Sequence, residues 1–164
     1  MNDSYDFGLA RPEDAAEVMA LYRSLIGTPG CAWSENYPAL EFVEADIAED
    51  SLFVLRDKGR IIAAAAAGAF EAPEGIECAI DNPRELSRLG VLLNMQGRGI
   101  GGIILRHVIE AVRGRGFDGI CLLASKDNPA ALALYEKNGF MRRGEVFAYG
   151  VDFYYYENAI KEFT

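Results

Sequence analysis

Between Gln96 and Gly102 the chain reads QGRGIGG, four glycines in seven residues, and the apolar run IILRHVIEAV follows at once. Glycine has no Cβ, so backbone there approaches an anion closely, and amides at a helix N-terminus point at the anion's oxygens. Two spacings coexist: Gly97, Gly99 and Gly102 satisfy G-x-G-x-x-G, the dinucleotide fingerprint, while Gln96, Gly99 and Gly101 satisfy Q-x-x-G-x-G. A tight turn with close helix packing is the plain alternative. Four glycines exceed its needs, and one in the first helical turn costs about 1 kcal/mol relative to alanine. The dinucleotide spacing also wants an acidic residue about 20 positions on, at the C-terminal end of the next strand. Asp118 has the distance but begins its strand, FDGICLLAS, whose far end holds Ser125 and Lys126, and LLNMQ separates the loop from Val91. The surroundings favour the second spacing.

The elements that must position this loop alternate in type along the chain, which predicts one mixed α/β layer structure. Tyr5 to Ala10 reads as an opening strand. An amphipathic helix then starts at Pro12, carries Val18, Leu21, Tyr22 and Leu25 at helical spacing and stops at Gly27. A second helix is expected from near Pro38 through ALEFVEADIAED, and strands SLFVLRD and RIIAAAAAGAF follow around a tight turn at Lys58 and Gly59. The run of alanines predicts a central strand closely covered by helices. RELSRLGVLL reads as the strand before the glycine loop, and Ile104, Leu105, Val108, Ile109 and Val112 line one face of the helix after it. Next come the short strand FDGICLLAS and a helix punctuated by Asn128 as cap, Pro129 at its first position and Gly139 at its end. FMRRGEVF and FYYYENAIKEF supply two closing strands.

Composition narrows the function classes. With 164 residues, 51% hydrophobic and 25% charged, the chain has the bulk for one core. Its longest apolar run, Ile61 to Phe70, is mostly alanine and far short of the roughly 20 residues that span a bilayer. The opening MNDSYDFGLARPED has no basic-then-apolar signal pattern, so a cytoplasmic protein is expected. Cys31, Cys78 and Cys121 are odd in number and lack a C-x-x-C, which suggests reduced thiols without a disulfide or zinc framework. The net charge of −9 opposes binding to nucleic acid or anionic membrane. One histidine, His107, excludes a histidine-rich metal site and projects away from the apolar stripe of its helix. No G-x-S-x-G elbow occurs and the glycine loop lacks G-K-[ST], which removes hydrolase and NTPase readings.

Two segments, LGVLLNMQGRGIGGIILRHVIEAVRGRGF and ASKDNPAALALYEKNGFMRRGEV, together resemble the central half of the GCN5-related N-acetyltransferase (GNAT) superfamily. The match is tight from about Glu85 to Val146. One departure is LNM before the loop, where a proline or acidic residue is often found. The resemblance implies a single acetyltransferase domain over residues 1–164, built on a mostly antiparallel twisted sheet of about seven strands flanked by about four helices. Its strands splay at the cofactor cleft.

It also implies site residues. Acetyl-CoA is the co-substrate, with no metal. Val91 and Leu93 match the strand positions that pair with the pantetheine arm. Gln96, Gly97, Arg98, Gly99, Ile100, Gly101 and Gly102 match the pyrophosphate loop, and Asn128 and Tyr135 match the second motif. The asparagine there contacts the cofactor arm, and the tyrosine protonates the departing thiolate, as a phenol with a pKa near 10 is able to do at neutral pH. Glu85, eleven residues before Gln96, stands where some members carry a glutamate base, and strand alternation groups it with Ser87, Leu89 and Val91 on one face. Trp33, Tyr37, Tyr149 and Tyr154 are candidate acceptor walls, and Glu41, Glu44 or Asp46 candidate attractors of an ammonium group. The expected partners are acetyl-CoA and an amine acceptor, without nucleic acid or membrane, a homodimer being left open. A non-catalytic acyl-CoA-binding or sensing module is the alternative.

Overall fold

The computed structural model describes residues 5–160, which form a seven-stranded sheet with four α-helices. The strands are β1 (Asp6–Leu9), β2 (Leu52–Asp57), β3 (Arg60–Gly68), β4 (Pro83–Val91), β5 (Gly119–Ser125), β6 (Met141–Ala148) and β7 (Val151–Ala159). The helices are α1 (Ala15–Leu25), α2 (Leu40–Ala48), α3 (Ile100–Gly114) and α4 (Pro129–Lys137). Spatial order is β1-β2-β3-β4-β5-β7-β6, and every neighbour is antiparallel except β4 with β5. None of the described helices is long and apolar enough to cross a membrane. Residues 161–163, expected to extend the closing strand, lie outside the described residues.

Local chemistry explains most boundaries. Lys58 and Gly59 both take positive φ, +53° and +83°, the two-residue turn that suits the twist of a hairpin. Asn128 Oδ1 accepts the amide of Ala131 at 3.2 Å, Pro129 opens α4, and Gly139 leaves it at φ +93°. The first helix differs from expectation at its start: Pro12–Asp14 form a 3₁₀ turn before α1 begins. The second begins at Leu40, after a tight turn closed by the isolated bridge between Ser34 and Tyr37 and an extended Ala39 that precedes the helix.

Alternation along β3 splits the apolar interior between the two sheet faces. Ala63, Ala65 and Ala67 face Ile104, Leu105 and Val108 of α3, whereas Ala64 and Ala66 face Val18, Leu21 and Tyr22 of α1 with Val43 and Ile47 of α2. Alanine at each position lets helices approach both sides.

The expected single face of β4 is corrected by a bulge. Ser87 pairs with Ala66 and Gly90 with Ala64, so Arg88 and Leu89 together oppose Ala65. Arg88 adopts φ +53°, and its carbonyl accepts the buried Tyr22 hydroxyl at 2.7 Å. The extra residue shifts the alternation. Glu85 and Ser87 share the α1 and α2 face with Gly90, while Leu89 and Val91 pack into the α3 cluster.

Candidate active site

β4 and β5 pair only at Pro83–Gly119, Arg84–Ile120 and Glu85–Cys121, and then part. The edge of β4 beyond Glu85 and the edge of β5 beyond Cys121 thereby frame a wedge, with Glu85 at its vertex. β4 ends at Val91, whose carbonyl accepts the Gln96 side-chain amide at 3.1 Å. Leu93, expected on this strand, lies beyond its end in the 3₁₀ turn Leu93–Met95, half exposed, where its carbonyl accepts the Gln96 backbone amide at 3.2 Å and not a strand partner.

The glycine loop follows, with φ +79° at Gly97 and +77° at Gly99, the residue that precedes α3. A Cβ at either position meets nothing within 4 Å, so the space in front of the backbone is open. Ile103 donates to the Gly99 carbonyl at 3.1 Å, but no backbone acceptor among the described residues takes the amides from Gly97 to Gly102. These amides, the positive end of α3 and the exposed side chain of Arg98 make a local anion cradle in an otherwise acidic chain. Ile100, by contrast, is fully buried and anchors the helix start. Gly101 fits against Leu134 Cδ2, 3.3 Å from a built Cβ, and so brings α4 up to the loop.

Tyr135, the next residue on α4, is buried with its ring edge-on to Phe140 at 5.8 Å. Burial pushes its phenol up to about 12, so it keeps its proton throughout the neutral range. No described residue bonds its hydroxyl, yet the hydroxyl is not sealed in: Arg84 Nε is the one enclosed side-chain polar atom without a partner among the described residues.

Glu85 is half-buried, and desolvation pushes its carboxyl up to about 7, against the pull of Arg88 and with help from Glu71. In register across the sheet, Gly68, Glu85, Cys121 and Glu157 form one row. Glu157 is buried and accepts the Ala79 amide at 2.9 Å and the Tyr155 hydroxyl at 2.7 Å. The β3–β4 connection thus lies over this part of the sheet, with Phe70 stacked on Tyr155 at 6.0 Å. Cys121, fully buried, donates its thiol to the Arg84 carbonyl, and burial raises its pKa, as befits a small core residue.

Among the acceptor candidates, Trp33 packs edge-on against Tyr22 at 5.0 Å and Tyr149 is 88% exposed at the β6–β7 turn. The Arg142 guanidinium lies 3.6 Å over the ring of Tyr154. Asp46 does not offer a free charge: Arg88 pairs with it at 2.8 Å and also donates to the Tyr37 hydroxyl at 2.9 Å. Glu41 and Glu44 stay exposed. His107 is exposed and stacks on Phe7 at 4.8 Å.

Sequence reasoning missed Gly30. It takes φ +82° in the connection after α1, where a Cβ would stand 3.0 Å from Asn128 Oδ1. Leu25, the last residue of α1 before that connection, packs on Gly90 of β4. Gly27 to Cys31 therefore strap the open mouth of the wedge from its β4 side to its α4 side. No local pattern signals a contact between positions 30 and 128.

Residues 18–140 match the profile of the Acetyltransferase (GNAT) family. A 63-residue stretch, 38% of the chain, is 36% identical to N-acetyltransferase family 8 member 3 of Rattus norvegicus, and the match spans only 28% of that relative's length. The structure of yncA from Salmonella typhimurium with its cofactor acetyl-CoA superposes with a TM-score of 0.76 over 98% of this chain and 96% of that one, at 19% identity. The ribosomal-protein-S18-alanine N-acetyltransferase of Escherichia coli gives the same TM-score and coverage at 20% identity. These structural likenesses establish the fold.

Proposed function

The chain belongs to the GNAT acetyltransferase family, and from that premise we propose that it works in the cytoplasm as a single domain, moving an acetyl group from acetyl-CoA to a primary amine on a small molecule. The observation that carries the proposal is the parting of β4 from β5 just past Glu85. It leaves strand edge unpaired along a gap that starts at a carboxylate and ends at the open amides of the glycine loop. The residues present fit acetyl-CoA: space before Gly97 and Gly99 for its diphosphate, and free strand edge for its pantetheine arm.

Acetyl-CoA supplies an activated acyl group, a thioester whose carbonyl accepts an amine. The chain's own groups bind, orient and move protons. Val91 and Leu93 line the arm, and Gln96, Gly97, Arg98, Gly99, Ile100, Gly101 and Gly102 form the loop that holds the diphosphate. Asn128 caps α4 beside the arm. Glu85, with its carboxyl near 7, takes the proton that the ammonium must lose before nitrogen attacks. As the carbon–sulfur bond breaks, the Tyr135 hydroxyl gives its proton to the departing sulfur. Attack is direct within a ternary complex, and no residue is acylated.

Thermal unfolding with acetyl-CoA and, separately, with NADH tests this. Ligand at 100 times its dissociation constant adds about 2.7 kcal/mol. Stabilisation by acetyl-CoA and not NADH is expected, followed by amine-dependent release of CoA thiol across an amine panel. Stabilisation by NADH alone overturns the reading. Binding of acetyl-CoA with no stimulating amine favours a non-catalytic binding module instead.

A further inference from the structure

The glycines of the loop do different work. At Gly97 and Gly99 a side chain would enter open space, and at Gly101 it would press on Leu134. Gly102 is different again. A Cβ built there stands 3.0 Å from Nη1 of Arg106, 3.7 Å from its Cζ and 3.8 Å from its Nη2. One helical turn on, Arg106 folds its guanidinium back over the first turn of α3, the direction in which long helical side chains lean. Glycine at 102 makes room for that arginine.

The charge pattern supports a purpose for it. The chain carries 25 acidic residues, yet none occurs from Leu86 to Ile109, a span that includes Arg88, Arg98 and Arg106. The first turn of α3 likewise has no acid. Arg88 is spent on Asp46, and Glu110, one turn beyond Arg106, is paired with Arg113. The Arg106 guanidinium therefore lies exposed beside amides that no described backbone acceptor takes. A cation parked at the positive end of a helix is unfavourable unless an anion joins them.

We propose that Arg106 is a phosphate ligand: its guanidinium, folded back over Gly102, closes the α3 side of the amide cradle and donates to the diphosphate of the acyl-CoA. The inference rests on the acetyl-CoA reading above and adds a residue outside the glycine loop.

Calorimetric titration of the purified protein with acetyl-CoA and with 3′-dephospho-acetyl-CoA tests it, each variant first being checked for an unchanged melting profile. Arg106→Gln is expected to weaken both ligands by the same factor, about tenfold, the usual value of a charge-assisted hydrogen bond at a solvent-open site. Arg106→Lys restores part of the loss, and Gly102→Ala, which displaces the guanidinium, also weakens both. Lys58→Gln, on the remote β2–β3 turn, leaves both affinities unchanged. Equal affinity of wild type and Arg106→Gln overturns the proposal. So does a loss confined to acetyl-CoA, which assigns the arginine to the 3′-phosphate, or an equal loss in Lys58→Gln, which makes the effect one of net charge. Failure of the wild type to bind acetyl-CoA at all overturns the functional reading itself, a result distinct from any of these.

Discussion

Glu85 and Cys121 are Cα partners on the last rung that β4 and β5 share, and from that rung the strands separate. The carboxylate consequently stands at the vertex of the wedge, half-buried, and its carboxyl is pushed up to about 7 by desolvation. A base acts only when ionised, so the rate with a true amine acceptor is expected to rise as pH passes through 7. In Glu85→Gln that rise disappears, with a loss of about 10²-fold at pH values where the amine is protonated. An unaltered pH–rate profile in the variant removes Glu85 from the chemistry.

The same burial has a thermodynamic cost whose sign follows from linkage. The folded carboxyl titrates near 7 and the unfolded one near 4.5, so between those values the folded state holds more protons and stability falls as pH rises. Above pH 7 the cost is fully present, about 3 kcal/mol. Glu85→Gln is therefore expected to melt several degrees higher than wild type at pH 8 and at nearly the same temperature at pH 4.5. A variant less stable at pH 8 contradicts the desolvated carboxylate.

Tyr135 offers a cleaner separation of chemistry from folding. No described residue bonds its hydroxyl, so Tyr135→Phe deletes no protein contact. Its expected signature is a kcat about 10²-fold lower with little change in KM for acetyl-CoA or in melting temperature. Unchanged turnover rules out the phenol as proton donor.

Gly30 and Asn128 are in contact across the mouth of the wedge. In Gly30→Ala the new methyl group must displace the Asn128 side chain or shift the strap, and φ +82° adds strain of about 1 kcal/mol. The expected outcome is a KM for acetyl-CoA raised about fivefold, equivalent to ~1 kcal/mol. Steady-state kinetics that change only for the amine would sever the strap from cofactor binding.

Gly119 seals the closed end of the wedge. A Cβ there would lie 2.6 Å from Ile80 Cδ1 and 2.7 Å from the backbone carbonyl of Asn158, and the carbonyl belongs to a paired strand that cannot yield cheaply. Gly119→Ala is expected to cost about 2 kcal/mol, lowering the melting temperature by about 4–8 °C. A melting curve superimposable on that of wild type argues against so tight an approach.

What the sequence determined by itself is what short-range chemistry decides. The cap at Asn128, the proline after it, the glycine stop at Gly139 and the loop from Gln96 to Gly102 each depend on residues a few positions apart, and each stands where its pattern predicts. The order of strands and helices was legible for the same reason. Strict alternation along β4 was not a safe extrapolation. The Tyr22 hydroxyl, 66 positions away on α1, holds the carbonyl of a bulged Arg88, and that one extra residue moves Leu89 and Val91 to the opposite face from Glu85. The pairing of Asp46 with Arg88, the row that joins Glu85 to Glu157 and the meeting of Gly30 with Asn128 are likewise contacts between distant segments. Periodicity reports which residues share a local surface; only the packed sheet, with its bulge and its parting strands, determines which of those surfaces meet.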